Sequence, residues 1–87
     1  MVSEKVTVVN AEGMHMRPAS LLSQTLTPFT ADVKVVFNGT EFDAKSVMML
    51  MSACIKCGAE IEIKADGPDE KEALAKAVDL VKSGLGD

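Results

Sequence analysis

The run Ala59-Glu60-Ile61-Glu62-Ile63-Lys64-Ala65 limits the possible folds more than any other stretch of the chain. Apolar and charged residues alternate strictly through it. An extended backbone therefore puts Ala59, Ile61, Ile63 and Ala65 on one face and Glu60, Glu62 and Lys64 on the other. Such a strand belongs in a sheet with one dry face and one wet face. Helices must then be layered on the dry side.

The remaining segments supply that partnership. Lys5-Val6-Thr7-Val8-Val9 is β-branched and reads as a strand. Pro18 to about Thr27 reads as a helix with Ala19, Leu22, Leu26 and Phe29 on one face, closed by Thr27-Pro28. Asp32 to Phe37 is a second strand, with Val33, Val35 and Phe37 on one side. Asn38-Gly39 accepts positive φ and turns it into a return strand, Thr40 to Asp43, with Phe42 as its apolar residue. Ser46 is placed to cap a short helix running to about Cys54, with Gly58 after its end. After the turn Asp66-Gly67-Pro68, Asp69 and Glu72 have capping-box spacing. A last helix from about Glu70 to Lys82 buries Leu74, Ala77, Val78 and Val81 and ends at Gly84 and Gly86. The expected fold is an α+β open-faced β-sandwich of order βαββαβα, a four-stranded antiparallel sheet with three helices on one face. With neither a repeat nor a linker in sight, residues 1–87 are expected to form one domain.

Composition narrows the function classes. The chain has 87 residues, 47% of them hydrophobic, enough for one modest core. Its net charge of -4 speaks against nucleic acid, which needs clustered Lys and Arg, and suits docking on basic protein surfaces. The first residues show no signal-peptide pattern, and no apolar run approaches the ~20 residues of a membrane span, so a cytoplasmic location without membrane insertion is expected. Cys54 and Cys57 should stay reduced there.

The segment Gly13-Met14-His15-Met16-Arg17-Pro18-Ala19 carries the chemistry. His15 is the single histidine. Pro18 suits the first turn of a helix, where a missing N–H costs nothing, so His15 and Arg17 fall at a helix N-terminus. Unpaired amides and the positive end of the helix dipole meet there and favour an anion such as phosphate. An imidazole able to accept a phosphoryl group beside an arginine suggests a phosphohistidine site. Taken alone, a single surface histidine near a helix start is more often a plain helix cap or a solvated side chain.

Two further features stand out. Val47-Met48-Met49-Leu50-Met51 is apolar at five consecutive positions, which go all the way round a helix. A helix lying on one layer cannot bury every side, so some of these side chains should face water as an adaptable docking surface; a buried helix with methionine as gap filler is the alternative. Cys54-Ile55-Lys56-Cys57 is a Cys-x-x-Cys, compatible with a redox pair or half a metal site, or with two incidental cysteines at a helix end. Structural zinc wants four ligands, and outside methionine His15 alone offers a third nitrogen or sulfur, so neither metal nor cofactor is expected.

Over nearly its whole length the chain resembles the HPr family, the histidine-containing phosphocarriers of the bacterial phosphoenolpyruvate:sugar phosphotransferase system, and is most like members from low-GC Gram-positive bacteria. The family signature Gly-Leu-His-Ala-Arg-Pro-Ala appears as Gly13 to Ala19, and a second signature as Lys45-Ser46-Val47-Met48 continuing to Met51-Ser52. Ile55, Gly58-Ala59-Glu60-Ile61 and Gly84-Leu85-Gly86-Asp87 extend the match. The resemblance implies a layered α+β sandwich and a carrier rather than a stand-alone enzyme. His15 would take a phosphoryl group on Nδ1 from enzyme I and pass it to the IIA units of sugar permeases. The backbone of Met16 and Arg17 would stabilise the phosphate, and the Arg17 side chain would clamp it. Ser46 would be modified by a kinase/phosphorylase, giving a form that slows phosphoryl uptake and serves catabolite control protein A. Met16, Ser20, Val47, Met48 and Met51 would form the docking surface of a monomer. Met14, Met16, Met49, Ala53 and Cys54 depart from the family pattern without removing a phosphoryl-handling group.

Overall fold

The computed structural model describes residues 1–10 and 13–85. Gly86, expected to help end the last helix, and positions 11 and 12 of the expected loop from Asn10 to Gly13 lie outside them. The elements are β1 (Val2–Thr7), α1 (Met16–Leu26), β2 (Asp32–Phe37), β3 (Thr40–Asp43), α2 (Val47–Ser52), β4 (Glu60–Asp66) and α3 (Glu70–Lys82).

The alternating strand is the centre of the sheet. β4 lies between β1 and β2 in the order β1-β4-β2-β3, and every pairing is antiparallel. Val6 faces Ile61, Val35 faces Ile63 and Val33 faces Ala65, so the apolar rows coincide. All six are buried. Sealing each large apolar side chain contributes about 1.5–3 kcal/mol. α3 crosses β1 and β4, α1 packs against α3 and α2, and α2 meets β3. Ala19, Leu22 and Leu26 of α1, Leu50 of α2 and Ala73, Ala77, Val78 and Val81 of α3 close the core on that face. The other face carries Lys34, Glu41, Glu62 and Lys64, with a Lys64–Glu41 ion pair at 3.3 Å. Asn38 (φ 53°) and Gly39 (φ 78°) both take the left-handed turn that the β2–β3 hairpin requires.

Three local expectations are corrected. The first strand is Val2–Thr7 rather than 5–9, because its length is set by pairing with β4 from Val2–Ala65 to Thr7–Glu60. Val8 adds one further bond to the Ala59 carbonyl, and Val9 is exposed. Asp69 stands at the N-cap of α3 but its side chain does not cap the helix. Its carboxylate instead accepts from the Thr30 and Ala31 amides, at 2.9 and 2.8 Å, tying the start of β2 to α3. Glu70 takes the reaching-back role, accepting from the Gly67 amide at 3.1 Å. The buried stripe of α3 includes Ala73, and Leu74 is only half-buried.

Candidate functional site

α1 opens without a side-chain cap. His15 is its N-cap residue, extended at φ −84° and ψ −176°, and its imidazole makes no capping bond. The His15 carbonyl already accepts from the Ala19 amide at 2.8 Å, so the helix is closed behind it. Met16, Arg17 and Pro18 are the first three helical residues. Met16 and Arg17 have no carbonyl four residues back inside the helix to bond, and Pro18 has no N–H at all. No acidic residue occupies this first turn to neutralise the dipole. His15, Met16 and Arg17 are exposed, while Pro18 and Ala19 are buried beneath them.

The histidine is aimed by the loop in front of it. Asn10 is buried, and its side-chain amide donates to the Gly13 carbonyl. The Met14 side chain is buried, and its amide donates to the Ile55 carbonyl at 2.8 Å. The His15 amide donates back to the Gly13 carbonyl at 3.1 Å. Gly13 has φ +68°, and a Cβ there would come within 2.4 Å of the Ile55 oxygen and 2.7 Å of the Lys56 Cα. Only glycine lets the two backbones approach so closely. The Gly58 amide to the Val8 carbonyl, at 2.8 Å, secures the far side of the same loop.

His15 therefore borders the end of α2. A shallow depression of ≈ 240 Å³ is lined by Met14, His15, Met51, Cys54, Ile55 and Lys56. Sequence reasoning missed the nearness of Cys54 and Lys56 to His15. The contact is made by backbone groups, which leave no residue-type signature. The signal that could have revealed it is Cys54, one of the departures from the pattern the sequence resembles. Cys54 is the left-handed residue after α2, at φ 55°, with its amide bonded to the Met51 carbonyl at 3.3 Å. The helix thus ends at Ser52, with Ala53 as its C-cap, well before Gly58. Cys54 and Cys57 are both free and exposed, and Cys57 Sγ donates weakly to the Val9 carbonyl at 3.8 Å. Among the described residues no three His, Cys, Asp or Glu are grouped to hold a metal.

Ser46 is the N-cap of α2, and its hydroxyl accepts from the Met49 amide at 3.3 Å. Leu50 alone in this helix is buried, while Met48 is 82% exposed and Met49 and Met51 are also open to solvent. The expected exposure of α2 is present. Met16 is 64% exposed on α1, which packs against α2, and Ser20 and Val47 are half-buried. Of these positions, Met51 shares the depression with His15. No helix among the described residues is long and apolar enough to cross a membrane.

The family model for the phosphorylation site of the HPr component of the phosphotransferase system matches residues 2–83. The phosphocarrier protein HPr of Cupriavidus necator is 33% identical over all of this chain and 98% of its own. Among solved structures, an HPr from Thermoanaerobacter tengcongensis superposes with a TM-score of 0.95 at 34% identity, covering 100% of this chain and 98% of the other. The Bacillus subtilis catabolite repression protein Crh, crystallised as a swapped dimer, is 40% identical with a TM-score of 0.78 over 97% of each chain. The four-stranded antiparallel sheet with three helices is the fold of these proteins. The chain belongs to the HPr family of phosphocarrier proteins of the phosphotransferase system.

Proposed function

We propose that His15 is the phosphoryl acceptor, charged by phospho-enzyme I and discharged to the IIA units of sugar permeases in phosphoenolpyruvate-dependent sugar uptake. The observation that carries this reading is the uncapped start of α1, where an exposed imidazole is the N-cap residue and no carboxylate occupies the first turn. A ring nitrogen, Nδ1 in the family, attacks phosphorus with its lone pair. The new N–P bond forms as the donor's P–N bond breaks, and the donor histidine keeps that electron pair. The Met16 and Arg17 amides receive the developing charge, and the Arg17 guanidinium holds phosphoryl oxygens. Phosphoryl transfer needs mainly positioning and charge neutralisation, which carrier and partner supply together. The site is shallow and open, so the phosphoryl group is held without being trapped.

Ser46 is read as the regulatory serine, modified by a kinase/phosphorylase, with the phosphorylated form recruited by catabolite control protein A. The likeness to Crh, named for catabolite repression, supports this. The six residues of α2 span about 9 Å, so a phosphate on Ser46 lies roughly one Debye length from the His15 depression. Its charge acts on the partner's footprint, where Met16, Ser20, Val47, Met48 and Met51 dock enzyme I and IIA. The fold needs no rearrangement for that, because a helix N-cap tolerates added negative charge. The carrier works as a cytoplasmic monomer; the dimers formed by Crh and by an HPr of Thermoanaerobacter tengcongensis are the alternative arrangement.

The test is intact mass after incubation with phosphoenolpyruvate, magnesium and enzyme I. One acid-labile phosphoryl group on the wild type and none on His15→Ala is expected. An unchanged gain in the variant would place the acceptor elsewhere and overturn the assignment.

A further inference from the structure

We infer that Lys56 is a second cation of the phosphoryl site, its ammonium engaging the oxygens of the phosphoryl dianion at His15 together with Arg17. This rests on the carrier reading and adds to it a residue from outside the His15 segment. Lys56 lines the same depression as His15. Among the described residues the others lining it are Met14, Met51, Cys54 and Ile55, so no described carboxylate stands in the wall and Lys56 is its one described lysine or arginine.

The lysine backbone is fixed where this role requires it. Ile55 accepts from the Met14 amide at 2.8 Å, and Gly13 is packed against the Lys56 Cα. The Lys56 side chain itself is exposed. Lys64 and Lys82 are engaged by Glu41 and Glu4, and Lys45 donates to the Phe29 carbonyl at 2.6 Å. Among the described residues no carboxylate pairs with Lys56. Its ammonium is therefore available in a chain whose net charge of -4 otherwise opposes an incoming dianion. The two cations differ in what they supply. A guanidinium fixes the oxygens in a planar fork, whereas an ammonium on four methylenes is a point charge that can follow the group as it arrives and leaves.

A small donor separates this role from partner docking. Phosphoramidate can charge a histidine directly: the ring nitrogen forms the N–P bond, the donor's P–N bond breaks, and the electron pair leaves on ammonia, which takes up a proton. Initial rates are followed by intact mass at low and high salt. At low salt Lys56→Gln should charge about three-fold more slowly than wild type, the size expected for one exposed cation, and Lys56→Glu about ten-fold more slowly. Lys56→Arg should retain most of the rate, and the differences should shrink in about 0.5 M salt. The exposed position predicts unchanged thermal unfolding for all three. Lys56→Gln and Lys56→Glu charging at the wild-type rate, with the wild type charged at His15, would overturn the inference alone. A wild type that takes up no phosphoryl group, or a His15→Ala variant that still does, would overturn the carrier assignment and this inference with it.

Discussion

Gly13 is the residue on which the placement of His15 depends. Its positive φ and the 2.4 Å that would separate a Cβ from the Ile55 oxygen leave no room for a side chain. Gly13→Ala should lower stability by at least about 2 kcal/mol in urea denaturation, since left-handed strain and a backbone displacement add. It should also slow charging of His15, because the loop would have to part from Ile55. A loss below about 0.5 kcal/mol would contradict this account. The segment from Gly13 to Ala19 was legible in the sequence: a histidine, a nearby arginine and a proline in the first turn announce an open helix start. What opposes that segment was not. Cys54 and Lys56 come beside His15 through main-chain bonds between two loops, and such bonds are indifferent to residue type.

At the scale of elements, the strands were the most legible. Alternation in β4 and the Asn-Gly turn specify faces and a hairpin directly, and β2, β3 and α3 span the residues expected. The misreading at α3 has a physical reason. A carboxylate at the N-cap can bond the helix's own amides or those of a neighbouring segment, and spacing does not distinguish them. Asp69 joins β2 instead, and the Thr30 amide above all, with the Ala31 amide and the Lys45 charge, holds its carboxyl below the usual carboxylate range. A lowered pKa in the folded state means stability that is present above the unfolded pKa and is lost as the pH falls through the folded one. Asp69→Asn should therefore be less stable than wild type at pH 7. The gap should close from about pH 4 downward, as followed by thermal unfolding across pH. A gap independent of pH would show that Asp69 acts through shape rather than charge.

At the scale of the whole molecule, one face of the sheet is wet and the helices cover the other. The proposed chemistry sits at one end of α2 and the proposed regulation at the other. The layered architecture follows from periodicity, whereas the distance between His15 and Ser46 does not, because it depends on how α1 and α2 pack. The proposed veto predicts that Ser46→Asp folds normally, aspartate being a good N-cap, and is charged by enzyme I about ten-fold less efficiently in kcat/KM. Ser46→Ala should be charged about as well as wild type. Charging of Ser46→Asp at the wild-type rate would remove the electrostatic account of regulation.

The most direct measurement of the central claim is an amide spectrum of the uniformly ¹⁵N-labelled chain before and after charging by enzyme I. The predicted result is that the largest shifts fall on His15, Met16 and Arg17, with β1 to β4 unchanged, as expected for a phosphoryl group seated on the start of α1. Largest shifts at any other helix start, or a charged protein whose Met16 and Arg17 amides do not move, would contradict it.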